Sequence, residues 1–282
     1  MSLQSESLQV AVCQLTSVDD VQANLEFILK ALESLGSAIP DLICFPENAL
    51  YLRVKEGEKI PSMKLNDPAL RTLSTWAKTN GTHLHLGSVP LEKEGQLYNS
   101  SLLLSPDGTV RDHYQKIHLF DVDVEGHKPV RESDAFAHGQ EPSIFEIKGW
   151  KIGSSICYDM RFPELFLRYA RAEVDVILIP SAFLVPTGRA HWEVLTRARA
   201  IEAQAYVLAA AQGGEHRGAE GGIRRTYGHS EIVDPWGVIV AECMDDQVVG
   251  PGVWPVLRAE LSRERIRKIR EQIPMKNHRR LV

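Results

Sequence analysis

Short apolar runs, separated by polar and helix-like segments, make up most of this chain. Nearly all of the runs are continuous rather than alternating in polarity, which is typical of strands covered on both faces. The predicted strands are LQVAVCQL from Leu8, DLICFPE from Asp41, THLHLGSV from Thr82, SSLLLSP from Ser100, WKIGSSICYD from Trp150, VDVILIPSA from Val174, AYVLAAAQ from Ala205, SEIVDPWGVIVAEC from Ser230 and VWPVLRAEL from Val253.

Four of the intervening segments have the periodicity of amphipathic helices. Three of them begin with an aspartate that can cap the first turn or with a proline at the first position. The four predicted helices run from Asp19 or Asp20 to a stop at Gly36, from Asp67 through Pro68 to Ala77, from Pro163 through Tyr169, and from Gly188 to Gln204. On the fourth helix, Val194, Ala198 and Ile201 share one face.

This order of elements predicts one domain over residues 1–282, with two sheets and helices outside them. The turn PDGT at Pro106 is predicted to join two strands as a hairpin. The segment GGEHRGAEGGIRRTY, from Gly213 to Tyr227, is glycine-rich and polar and is predicted to be a mobile loop. The C-terminal IPMKNHRRLV has little apolar pattern. We expect the tail from about residue 262 to dock, extended at its end, on the domain or on a partner subunit.

Charge and cysteine content argue against several classes of protein. The net charge of −5, from 32 basic and 37 acidic side chains, gives no basis for binding nucleic acid or an anionic membrane. The four cysteines are scattered and form no CxxC pair, which argues against a disulfide framework or a zinc site. The N-terminal MSLQSESLQV lacks the features of a signal peptide, and no apolar run is long enough to span a membrane. A cytoplasmic location is predicted.

Cys157 is the first of three residues with the chemistry of a nucleophilic site. It ends the apolar run GSSIC and precedes YDMRFPEL, which opens a helix. A cysteine at such a turn presents its sulfur on a rigid support, close to backbone N–H groups that can lower its pKa and bind an oxyanion. The alternative is a buried structural cysteine, which is the interpretation we favour for Cys13, Cys44 and Cys243.

Glu47 and Lys116 complete this inventory. Glu47 follows the apolar DLICFP, where a carboxylate is costly unless it is paired or functional; the alternative is a loop carboxylate in solvent. Lys116, in YQKIHLFD, would alone be a solvated lysine. Together the three residues place a base, a cation and a thiol at the ends of strand-like segments, which suits nucleophilic acyl chemistry. This chemistry needs no metal and no organic cofactor.

The surroundings of these residues resemble the three catalytic motifs of the nitrilase superfamily of carbon–nitrogen hydrolases. The motifs are FPENALY around Glu47, YQKIHLFDVDV around Lys116 and SSICYDMRFPEL around Cys157, in the family's order. SAFLVPTGRAHWEVLTRARAIEAQAYVLAAAQ and YGHSEIVDPWGVIVAEC are similar to the family's downstream segments, so the resemblance covers nearly the whole chain.

The resemblance implies an α/β fold, a four-layer α-β-β-α sandwich, and a role for each residue. Cys157 would be the nucleophile, Glu47 the general base and Lys116 the stabiliser of the tetrahedral intermediate. The backbone N–H of Tyr158 would complete the oxyanion hole. A second glutamate between the lysine and cysteine motifs often positions these groups, and Glu132 in VRESDAF lies where it is expected. The alternative for Glu132 is a loop carboxylate.

Within the superfamily, the chain is most similar to the deaminated glutathione amidases, through segments such as CYDMRFPEL, TGRAHWEVLTRARAIE and TYGHSEIVDPWG. This implies hydrolysis of a small α-keto acid amide by way of a cysteine thioester. The ω-amidases acting on α-ketoglutaramate share HLFDVDV-like residues after the lysine, and carbamoylases and nitrilases use the same three catalytic residues, so these alternatives stay open. An alternative from another class is a catalytically inactive binding protein, which would have no need for all three residues.

Four further residues are candidates for binding this substrate. Arg161, four residues after the nucleophile, could take a carboxylate through two donors, or could form a structural salt bridge. Thr187 is expected in the loop before the Gly188 helix, where its hydroxyl could contact substrate. Phe183 is a candidate for the pocket wall or for the core, and Tyr158 could add pocket surface.

The expected partners are the small-molecule amide and a second copy of the chain. The resemblance suggests that the helix starting at Gly188, with the one after Pro163, packs against its twin across a two-fold axis. Symmetric homodimers are the commonest closed assembly.

Overall fold

The computed structural model describes residues 5–55, 57–123, 129–244 and 252–281. Its strands are β1 (Ser7–Leu15), β2 (Leu42–Phe45), β3 (His83–Lys93), β4 (Gln96–Leu104), β5 (Val110–Gln115), β6 (Asp121–Val122), β7 (Val130–Arg131), β8 (Ser143–Ile147), β9 (Trp150–Ser154), β10 (Val176–Leu178), β11 (Tyr206–Ala209), β12 (Gly213–Arg217), β13 (Ile223–Tyr227), β14 (Glu231–Val233), β15 (Ile239–Glu242) and β16 (Val253–Ser262). Its α-helices are α1 (Val21–Glu33), α2 (Pro68–Asn80), α3 (Pro163–Arg171), α4 (Val185–Ala203), α5 (Arg263–Gln272) and α6 (Met275–His278).

The helix starts follow the predicted capping chemistry. The Asp20 carboxylate accepts hydrogen bonds from the backbone N–H groups of Gln22 and Ala23 at the start of α1. Asp67 caps α2 in the same way, with Pro68 at its first position. The predicted helices are therefore confirmed, although α1 ends at Glu33, before Gly36, and α4 begins three residues before Gly188.

Two six-stranded sheets form the centre of the fold. Their strand orders are β16-β1-β2-β3-β4-β5 and β15-β14-β11-β10-β9-β8. The central pairs β1–β2, β2–β3, β9–β10 and β10–β11 are parallel, and the outer pairs are antiparallel. Each parallel pair within a sheet is joined through a helix or a long connection, as parallel pairing requires.

Three apolar layers lie between four structural layers. Leu8, Val10 and Val12 of β1 pack between the sheets with residues of the second sheet. Ala11 and Cys13, on the other face of β1, pack in the layer that also contains the buried residues of α1 and α2. A third layer joins the second sheet to α3 and α4. This is the four-layer α-β-β-α sandwich, and it explains why the strands are apolar on both faces.

The structure corrects two predictions about irregular segments and splits one predicted strand. The segment predicted as a mobile loop from Gly213 to Tyr227 is the hairpin β12–β13, with five residue pairs in register. The C-terminal segment is helical in α5 and α6, and Lys276 pairs with Glu173 of the same chain, so it is not an extended tail. The predicted strand from Ser230 is the two strands β14 and β15. No helix within the described ranges is long and apolar enough to cross a membrane.

Candidate active site

Glu47, Lys116 and Cys157 meet where strands of the two sheets end. Glu47 lies two residues after β2, and Lys116 directly follows β5, both in the first sheet. Cys157 lies three residues after β9 of the second sheet. Gly87 of β3 permits this approach, because a Cβ atom there would lie 2.2 Å from the Cβ atom of Pro180. The first sheet thus supplies the base and the cation, and the second supplies the thiol.

Cys157 occupies a tight turn that the surrounding polar groups hold in place. Its φ of 47° lies in the left-handed region, which is unfavourable for a residue with a side chain and recurs at functional sites. Its backbone N–H donates to the Pro180 carbonyl at 2.8 Å. The fully buried Asp159 accepts from the Ile156 N–H at 2.8 Å and from the Tyr114 hydroxyl at 2.7 Å. The turn is therefore rigid before any substrate binds.

Lys116 lies between two glutamates in a buried cluster. Its Nζ is 2.8 Å from Oε1 of Glu47 and 2.8 Å from Oε2 of Glu132. The Asn99 side-chain amide donates to both carboxylates, at 3.1 Å to Glu47 and 2.8 Å to Glu132. The backbone N–H of Phe120 also donates to Glu132, at 2.7 Å. All the charged groups are paired, which is what burial of charge requires.

Electrostatics keep the lysine charged and the cysteine neutral. Burial alone would lower the pKa of Lys116, but Glu132 and Glu47 outweigh it and hold that pKa well above its usual value. Burial, with Glu47 beside it, raises the pKa of the Cys157 thiol despite the opposing charge of Lys116. Burial thus outweighs the backbone N–H of Ala182, which acts to lower the pKa of this thiol. The thiol needs a base to become a nucleophile.

Glu47 lies beside this thiol. Besides burial, the Glu47 carboxylate raises the pKa of the Cys157 thiol, and the nearby backbone N–H of Ala182 opposes that effect. Lys116 and the Asn99 side-chain amide both donate to Oε1 of this Glu47 carboxylate. A carboxylate that is held in this way beside a thiol can act as its base.

All eight residues singled out in the sequence line one cleft. The cleft encloses about 770 Å³ of empty space, part of it open to solvent. The eight residues are Glu47, Lys116, Glu132, Cys157, Tyr158, Arg161, Phe183 and Thr187. The structure thus brings them together, whereas their catalytic and binding roles stay predictions.

The four candidates for substrate binding line the same cleft as Cys157. Arg161 ends the 3-10 turn that begins at Cys157, stacks 5.3 Å from the centre of the Phe183 ring, and lies 3.1 Å from Nδ1 of His191. Within the described ranges no carboxylate pairs with Arg161, and its role in binding substrate stays a prediction. Thr187 is in the first turn of α4 and not in a loop, and its hydroxyl donates to the Leu184 carbonyl at 3.1 Å.

Sequence reasoning missed four polar residues of this region. Asn99 is a buried polar residue inside β4, upstream of the predicted start of that strand. Asp159 lies two residues after Cys157, and its place within CYDMR is the only feature of the sequence that could have indicated it. Arg53 and Arg224 line the cleft from the segment after Glu47 and from β13. Arg224 lies in the segment that we predicted to be a mobile loop.

The sequence matches one class of enzymes, in agreement with this fold and cluster. Residues 9–271 match the family model described as carbon-nitrogen hydrolase. The chain belongs to the carbon–nitrogen hydrolase family, which confirms the resemblance of its three motifs.

Individual proteins are similar to this chain over most of its length. The deaminated glutathione amidase of Mus musculus is 39% identical over 279 residues, covering 96% of this chain and 83% of that protein. The Omega-amidase NIT2 of Xenopus tropicalis is 37% identical over 243 residues, covering 86% of this chain and 82% of that protein. The crystal structure of the C. elegans NitFhit protein has a TM-score of 0.85 at 32% identity, covering 99% of this chain and 66% of that one.

Proposed function

We propose that this chain hydrolyses deaminated glutathione, an α-keto acid amide, through a thioester on Cys157. The observation that carries the proposal is a cleft lined by both Cys157 and Glu47, in which Lys116 pairs with Glu47 and Glu132 and the Glu47 charge acts on the thiol. A thiol, a base beside it and a fixed cation are the parts that nucleophilic acyl transfer needs. The named relatives support the choice of an amide as substrate.

We propose the following order of proton transfers, in which Glu47 acts in each step. Glu47 takes the thiol proton while the sulfur of Cys157 attacks the amide carbon, and the carbonyl oxygen becomes an oxyanion. Lys116 stabilises that oxyanion, together with the backbone N–H of Tyr158. Glu47 then gives the proton to the leaving nitrogen, the amine departs and a thioester remains. Glu47 next takes a proton from water, whose oxygen attacks the thioester carbon. The carbon–sulfur bond breaks, the acid is released, and Glu47 returns the proton to the Cys157 sulfur.

The charge of the cleft supports an anionic substrate. Among the described lining residues, the charged ones are four cations and two glutamates, and both glutamates pair with Lys116. The other three cations that line the cleft are Arg53, Arg161 and Arg224. We assign Arg161 to the carboxylate of the α-keto acid, because it lies on the same turn as the nucleophile.

A panel of amides tests this function. Release of amine or ammonia is measured for deaminated glutathione, α-ketoglutaramate and glutamine, with Cys157→Ala as the inactive control and Cys243→Ala as the matched buried cysteine. We expect the highest kcat/KM for deaminated glutathione and no turnover by Cys157→Ala. A higher kcat/KM for α-ketoglutaramate than for deaminated glutathione would support an ω-amidase. This is the second candidate function, because the Omega-amidase NIT2 of Xenopus tropicalis is among the similar proteins. Turnover of neither keto acid would contradict the proposal.

We also propose that the active form is a homodimer that uses an exposed apolar patch beside α4. The patch consists of Val194, Ile201, Trp236 and Val238, which are between 45% and 67% exposed. Val194 and Ile201 are on α4, and Trp236 and Val238 lie between β14 and β15. A hydrogen bond from the Arg197 guanidinium to the Gly237 carbonyl, at 2.9 Å, joins these two segments. Exposed apolar surface of this kind is typical of protein interfaces. Sedimentation should give a dimer that Ile201→Glu dissociates; a monomeric wild type would contradict this.

A cytoplasmic location is part of the same proposal. All four cysteines are free and buried thiols, as expected for a protein kept in a reducing compartment. Fractionation of cells that express the full chain should place it in the cytosolic fraction, and recovery from an oxidising compartment would contradict this location.

A further inference from the structure

The arginines of the cleft belong to two separate places in the fold. Arg161 is on the nucleophile's turn in the second sheet. Arg53 and Arg224 come from the segment after Glu47 and from β13, and the Arg224 guanidinium donates to the Arg53 carbonyl at 3.0 Å. Both are half-buried and both line the cleft. The hairpin thus brings a second positive group to the cleft, apart from the catalytic cluster.

The β12–β13 hairpin that carries Arg224 is firmly held. The Tyr227 N–H donates to the Phe183 carbonyl at 2.9 Å, beside the cleft. The buried His216 links the Thr226 hydroxyl and the Ser17 carbonyl, at 2.6 Å each. Tyr227 also packs on Gly188, where a Cβ atom would lie 2.2 Å from the tyrosine ring. Arg224 is therefore presented to the cleft on a fixed support, as binding of a specific anion requires.

The two candidate substrates differ only beyond the scissile nitrogen. Both deliver the same five-carbon α-keto acyl group, with one carboxylate, to the nucleophile. In α-ketoglutaramate the leaving group is ammonia, whereas in deaminated glutathione it is cysteinylglycine, which ends in a second carboxylate. Two extended residues span at most about 7 Å, so this carboxylate lies well beyond the catalytic cluster. It needs a cation of its own if it is to be bound out of water.

We propose that Arg53 and Arg224 form a leaving-group subsite that binds the terminal carboxylate of a peptide-like amine. The inference rests on the proposed function and specifies it: the cleft recognises a dicarboxylate, with Arg161 on the acyl side and these two arginines on the amine side. A guanidinium binds a carboxylate through two parallel donors, so the subsite sets the orientation of the leaving group as well as its charge. Ammonia as leaving group makes no use of it.

The test compares two substrates in matched variants. Arg224→Gln and Arg53→Gln each remove one charge from the subsite, and Arg225→Gln removes the neighbouring exposed charge, which pairs with Glu215 at 2.6 Å. The readout is the ratio of kcat/KM for deaminated glutathione to that for α-ketoglutaramate. Loss of one charge-assisted contact should lower this ratio about 10- to 100-fold in the first two variants. Arg225→Gln should leave the ratio unchanged.

A change in the substrate provides the reciprocal test. Deaminated glutathione whose glycine carboxylate is converted to an amide should lose at least the same factor with the wild-type enzyme. With Arg224→Gln the difference between the two forms of the substrate should become smaller, because one of the two interacting charges is already gone.

The outcomes separate the subsite from the function on which it rests. An unchanged ratio in Arg53→Gln and Arg224→Gln, in an enzyme that hydrolyses deaminated glutathione, would overturn the subsite and leave the proposed function standing. Equal losses on both substrates would assign the two arginines to the structure of the cleft and also overturn the subsite. A wild-type enzyme that turned over neither substrate would overturn the proposed function, and the subsite with it.

Discussion

The buried cluster around Lys116 permits one sharp prediction about stability and activity together. Lys116→Met keeps most of the side-chain volume and removes the charge that pairs with Glu47 and Glu132. The two glutamates would then be left as like charges that share only the Asn99 amide. The chain contains a matched control in Lys148→Met, because Lys148 is half exposed and pairs with Asp41 at the surface.

The size of the effect follows from the geometry. Each ion pair joins atoms 2.8 Å apart, and at an effective dielectric constant of about 20 each attraction is about 6 kcal/mol before desolvation is counted. Desolvation offsets much of this, and removing one partner of a buried pair costs about 3–5 kcal/mol. An exposed pair contributes about 0–1 kcal/mol. With about 2–4 °C per kcal/mol, we expect Lys116→Met to lower Tm by about 6–20 °C and Lys148→Met by less than about 4 °C.

Calorimetry and steady-state kinetics together test this reasoning. Below its own Tm, Lys116→Met should also show a kcat/KM lowered about 100- to 1,000-fold, because the oxyanion loses its fixed cation. Lys148→Met should keep the wild-type value. Equal losses of Tm in the two variants would refute the energetic argument. Wild-type turnover in folded Lys116→Met would refute the role of Lys116 in the transition state.

Three further predictions concern other buried polar groups. Asn99→Leu removes the amide that donates to both glutamates, and kcat/KM should fall about 10- to 100-fold. A wild-type kcat/KM in the folded variant would count against a positioning role of Asn99. Burial raises the pKa of Glu231 to about 8, so the wild type should lose stability as pH rises from about 4.5 to 8, by at most about 1.4 kcal/mol per pH unit. Glu231→Gln should lack this loss in urea titrations, and parallel pH profiles for the two proteins would contradict the assignment. Cys243→Ala should lower Tm with kcat nearly unchanged, and a loss of activity like that of Cys157→Ala would implicate a second thiol.

Two residues of the candidate active site were predictable because they interrupt local patterns. Glu47 and Cys157 end continuous apolar runs, where a polar side chain is costly unless it has a partner. Lys116 had no such local signal and was identified only through the motif that surrounds it. Asn99 could not be found in this way, because the sequence of a strand does not show whether a polar side chain in it is buried or exposed.

The segments that were predicted wrongly depend on contacts from distant parts of the chain. The strands β12 and β13 are polar and glycine-rich, and they are fixed by His216, which reaches the Ser17 carbonyl almost 200 residues away in sequence. Helix α5 is highly charged, and only Ile266 and Ile269 on it are buried against the domain. Local patterning could not reveal either element, and Arg224 was missed for that reason.

Detection of the thioester is the measurement that tests the central claim most directly. The wild-type enzyme is mixed with an excess of deaminated glutathione, quenched in acid within the first turnover, and mapped by peptide mass spectrometry. We predict the mass of the α-keto acyl group on the peptide that contains Cys157, and its absence in Cys157→Ala treated in the same way. An acyl group on another residue, or full activity with no acylated peptide at any quench time, would contradict the account.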